Sequence, residues 1–144
     1  METNDTVKLL KECDAGIKMG ISSIDDALPS VTNEQLKQAL ITSKQEHEKI
    51  KNETSNLLNT MNEEGKDPNP VAKTMSWMKT NIKLTVDHSD KTIADLITDG
   101  CNMGVKSLHR YLNQYTSADE NAKDLTRRLI STEEKLGMDM RTYL

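Results

Sequence analysis

A chain of 144 residues, 35% hydrophobic and 29% charged, with no Phe, one Trp, three Tyr and three Pro, has the length of one domain. Its composition suits Leu, Ile and Met packed between helices better than aromatic, β-branched sheets. Nineteen Lys and Arg against 23 Asp and Glu leave a net charge of -4, with no excess positive charge to neutralise a phosphate backbone, so nucleic acid is not an expected partner. The polar, acidic start Met1-Glu2-Thr3-Asn4-Asp5 is unlike a signal peptide, and no apolar run approaches the roughly 18 residues of a membrane span, so a cytoplasmic protein without a membrane partner is expected.

The first predicted helix covers 6–28. Leu10, Cys13, Ile17, Ile21, Ile24 and Leu28 recur three and four apart on one face, with Asp5 or Thr6 at its start as cap. Pro29 and Ser30 break it, and Thr32, with Gln35 three residues on, reads as a capping box opening a second helix over 32–63. That short connection predicts an antiparallel hairpin. The inward seam of the second helix is Leu36, Leu40, Ser43, His47, Ile50, Thr54, Leu57 and Met61, polar at three positions. Gly65, Pro68 and Pro70 terminate it.

A connection over 64–84 follows, carrying a short amphipathic stretch at Val71, Met75, Met78 and Ile82 around Trp77. Beside Lys73, Lys79 and Lys83, residues Met75, Trp77 and Met78 form the best candidate for an exposed patch that binds a partner or a second copy. The bland alternative is a face that simply covers the bundle. The third long helix, 85–115, includes Asp87-His88-Ser89-Asp90, where a break could fall. This run has the acidic start of a calcium loop without its glycine, and a solvated helix turn is the expectation. The last helix, 118–142, turns Leu125, Leu129, Thr132, Leu136, Asp139 or Met140, and Tyr143 inward.

Two long-helix hairpins joined by a connection that must travel their full length is the plan of ferritin-like bundles. The chain also resembles uncharacterised small bacterial ferritin-like four-helix-bundle proteins in Leu9-Leu10-Lys11-Glu12-Cys13-Asp14, Asn69-Pro70-Val71-Ala72-Lys73-Thr74-Met75-Ser76-Trp77 and Asp99-Gly100-Cys101-Asn102-Met103-Gly104. The resemblance implies an all-α ferritin-like four-helix bundle, one domain over 1–144, with a long crossover carrying a short helix between the second and third helices. The diiron members of that superfamily use two Glu-x-x-His pairs. Here Lys44 stands three residues before His47 and Leu136 three after Glu133, so a standard diiron centre is disfavoured.

Counting residues from turns centred at Ser30 and Ser117 sets Cys13, Asp14, His47, Cys101, Asn102 and Glu133 at similar heights, near mid-length. Asp14, His47 and Glu133 are therefore the candidate ligands of a remodelled site for iron, manganese or zinc, against the bland reading of a hydrogen-bonded core histidine. Cys13 and Cys101 are a candidate reversible thiol pair, against that of two small core residues. His88 and His109 are isolated, and no nucleophile set, phosphate-binding glycine loop or Cys-x-x-Cys is present. The expected function is thus non-enzymatic and cofactor-free: protein interaction or self-association. A metal-binding or redox protein with the mid-bundle site is the alternative.

Overall fold

The computed structural model describes residues 4–67, 77–85 and 87–144, the side chain of Trp77 excepted. All regular structure among the described residues is helical: α1 (Asn4–Ala27), α2 (Glu34–Thr60), α3 (Trp77–Leu84), α4 (Asp90–Gln114) and α5 (Glu120–Met140), with single 3-10 turns at Leu28–Ser30 and Arg141–Tyr143.

The caps explain where the helices begin, and in several places correct the expected boundaries. Asn33, not Thr32, caps α2, its side chain accepting from Gln35 N at 2.8 Å and Leu36 N at 3.0 Å. Thr32 instead donates its backbone N–H and its hydroxyl to the Asp90 carboxylate, both at 2.8 Å, and Asn33 N adds a third bond at 3.0 Å. Residues 87–89 are not a helical turn. The Asp87 carboxylate accepts from Ser89 N at 2.9 Å, and Ser89 accepts from Thr92 N as the N-cap of α4; such local side-chain bonds compete with helical ones and fix the start. Asp119 caps α5 through Ala122 N at 2.9 Å. At the end of α2 the terminator is Asn62, at φ 56, not Gly65. Asn tolerates the left-handed region, and Glu63 N then closes on Leu58 O at 2.9 Å.

The same bonds fix the topology. α1 pairs with α2, α4 with α5, α2 with α5 and α1 with α4. Asp90, at the start of α4, holds the α1–α2 connection. Asp5 and Thr6, expected as caps of α1, instead accept from Ser117 N and Asp119 N of the α4–α5 turn. The two turns therefore lie at opposite ends, and α2 and α4 run the same way. The chain after α2 climbs beside α1, as the pairs Lys11 with Glu63, Glu12 with Lys66, and Lys18 with Asp67 record in order. α3 then packs on α1 and α4 at the upper end.

Three apolar layers fill the interior. Ile24, Leu36, Leu40, Ile93, Ile97 and Met140 are in the upper one, Ile17, Ile50, Leu108 and Leu129 in the middle, and Leu9, Leu10, Leu58 and Ala122 in the lower. Burying such side chains stabilises a fold by about 1.5–3 kcal/mol each. The seam of α2 is as predicted down to Thr54 and then passes to Leu58, with Leu57 only half-buried.

Candidate functional site

Between the upper and middle layers the core is polar. His47 of α2 is fully buried, and its Nε2 lies 2.6 Å from Glu133 Oε1 of α5. Its Nδ1 lies 2.8 Å from the Ser43 carbonyl one turn earlier. A carbonyl only accepts, so Nδ1 carries a hydrogen, and one further proton is held between Nε2 and Oε1. The pair is net neutral whichever atom holds that proton. Burial by itself pushes the imidazole pKa down, but the hydrogen bond and charge of Glu133, with the Ser43 carbonyl, outweigh it and hold the pKa above the ordinary histidine value. The Cys101 thiol of α4 is buried close enough to Glu133 to feel its charge. Burial first, and then the Glu133 charge, push its pKa up.

Glycines make room for this layer. A Cβ on Gly20 of α1 would stand 2.9 Å from His47 Nε2 and 3.4 Å from Glu133 Oε1. On Gly104 of α4 it would meet Glu133 Oε2 at 3.6 Å, and on Gly16 it would meet nothing within 4 Å. With Gly16 and Gly20 on α1 and Gly100 and Gly104 on α4, the two helices leave a cleft of about 640 Å³. Met19, Ile24, Met78, Ile97, Met103 and Leu108 are among its apolar walls, His47, Cys101 and Glu133 lie at its floor, and Glu12, Lys66 and Asp67 mark its lower end. Met19 and Met103 are partly solvent-exposed at its rim, and the Glu133 side chain keeps 12% exposure.

Of the predicted metal set, His47 and Glu133 meet and Asp14 does not join them. Asp14 is 1% exposed, but it faces the climbing chain: it accepts from Lys66 N at 3.0 Å and pairs with Lys18 Nζ at 2.8 Å. The error arose at the first turn. The 3-10 turn and Asn33 lengthen the connection, so Gly20, not Asp14, stands opposite His47. Six residues of helix separate those two positions, roughly 9 Å. Among the described residues no three His, Cys, Asp or Glu side chains form a group able to hold a metal ion.

The predicted thiol pair is also separated. Cys13 contacts Thr126 Oγ1 of α5 at 3.2 Å, whereas a Cβ on Gly137, further along α5, would meet Cys101 Cβ at 3.7 Å. Those two positions on α5 are roughly 16 Å of rise apart, too far for a disulfide, and both thiols are free. Of the predicted interaction patch, Met75 lies outside the described residues, as does the side chain of Trp77. Met78 is fully buried in the upper layer, so it offers no exposed surface. The sequence reading missed the cleft. Its only signal there was the recurrence of glycine four apart in both α1 and α4.

No helix among the described residues is long and apolar enough to cross a membrane. No family model matches the chain, and no curated protein matches it.

Proposed function

We propose that the chain is a non-enzymatic helical bundle of ferritin-like plan that works by binding, and that it takes up a small, largely apolar molecule in the cleft between α1 and α4. The observation that carries this reading is the cleft itself, of about 640 Å³, with a buried His47–Glu133 pair on its floor. Sites for small molecules are commonly concavities of roughly this size, mostly apolar and with few convergent polar groups. Four glycines along it support the reading, because a glycine inside a helix is less favourable than alanine by about 0.5–1 kcal/mol. The parallel course of α2 and α4 and the chain climbing beside α1 support the ferritin-like plan. A protein partner at α3 has less support, since Met78 faces inward.

The test is uptake of Nile red, a neutral fluorescent dye, by the wild-type chain and by Gly104→Leu, with helicity and melting followed in parallel. A Cβ at residue 104 makes only ordinary contacts, so the variant keeps the backbone and fills the cleft. Saturable one-to-one uptake, weakened tenfold or more in the variant, is the expected result. No uptake, or equal uptake by a folded variant, overturns the proposal.

A further inference from the structure

Resting on that reading of the cleft, we infer that its ligand is a neutral molecule carrying a hydroxyl-type hydrogen-bond donor that docks on Glu133, with its apolar body along α1 and α4.

The head is specified by charge and by spare hydrogen-bonding capacity. One proton is held between His47 Nε2 and Glu133 Oε1, so the pair carries no net charge, and the other charged side chains lining the cleft already have partners, Glu12 with Lys66 and the solvent-exposed Asp67 with Lys18. A charged head brought beside the pair would lack a counter-charge in a mostly apolar cavity, which is strongly unfavourable. A neutral head needs only a hydrogen bond. His47 has none to give or receive, because both nitrogens are engaged, by Ser43 and by Glu133. A carboxylate has about four acceptor positions, and at Glu133 the bond from His47 takes one of them. Its Oε2 is turned toward Gly104, whose missing side chain leaves the approach from the cleft open. The floor's open position is therefore an acceptor, and Cys101 adds only the weak S–H donor of a buried thiol, so a hydroxyl-type donor is recognised over an ether or ester oxygen.

The experiment displaces Nile red from the full chain at neutral pH with four probes sharing one tail: 1-octanol, methyl octyl ether, octylammonium and octanoate. The hydrogen bond to Glu133 distinguishes octanol from the ether by roughly tenfold, so octanol is expected to displace the dye at the lowest concentration. Displacement by octylammonium or octanoate at equal or lower concentration overturns the neutral-head assignment. Equal potency of octanol and the ether overturns donor recognition, as does a dye that Gly104→Leu excludes but none of the four displaces. In each of those cases the cleft reading stands. Absence of dye uptake, or uptake that Gly104→Leu leaves unchanged, overturns the cleft reading as well.

Discussion

His47 makes two hydrogen bonds at once, to the Ser43 carbonyl and to Glu133, and removing either side of the pair strands a buried polar group. Glu133→Ala is expected to lower unfolding free energy by about 3 kcal/mol, the scale for breaking a buried pair, measured by urea titration. The pH dependence has a definite sign. The folded imidazole pKa is above the ordinary value, so the group's stabilisation is complete below about pH 6.5 and fades as pH rises through the folded pKa. The stability gap between wild type and His47→Gln should therefore shrink from pH 6 toward pH 8, and a gap that widens would contradict the protonation scheme. The glycines of α1 give opposite expectations for the same substitution. Gly16→Ala meets open space and should stabilise by about 0.5–1 kcal/mol. Gly20→Ala drives a Cβ onto the buried imidazole and should destabilise by about 1–3 kcal/mol. Thermal midpoints of the two variants separate them.

The start of α2 does two jobs. Asn33 caps α2 while its own backbone N–H, with Thr32, binds Asp90, so the first hairpin is tied to the start of the second. Asn33→Ala should lose about 1 kcal/mol from the cap, read as a lower urea midpoint with an unchanged slope. The bond from Thr32 N foremost, against slight burial, holds the Asp90 carboxyl below its usual range. Its contribution is thus present above that range and is lost as pH falls through the lowered folded pKa. At the opposite end Asp5 and Thr6 hold the α4–α5 turn, and between the ends Asp14 holds the chain climbing from α2. The clasps at the two ends tie α1 and its connection to the start and end of α4, the two helices that flank the cleft.

For the molecule as a whole, the thiols report on opening. Burial foremost, offset only in part by Thr126, pushes the Cys13 pKa up to about 12, and burial with Glu133 raises that of Cys101. Neither is a thiolate near neutral pH, and alkylation requires exposure of the core. Iodoacetamide at pH 8 is expected to leave the native mass unchanged over a period that modifies both cysteines in urea. Rapid native alkylation, or loss of two hydrogens under oxidant, would show that the layers are not held apart as described.

By itself the sequence determined the helices and most of their inward faces, because three-and-four spacing of Leu, Ile and Met is local information. It also placed His47 and Glu133 in the core near mid-length. Which residues share a layer was decided only in three dimensions. A few residues' difference in where a connection ends slides one helix along another by several Å, and that slide moved Gly20 beside His47, took Asp14 to the climbing chain, and separated Cys13 from Cys101. The cleft belongs wholly to that second level. Glycine writes no hydrophobic period, and a gap between α1 and α4 exists only once caps and clasps have fixed which glycines face each other.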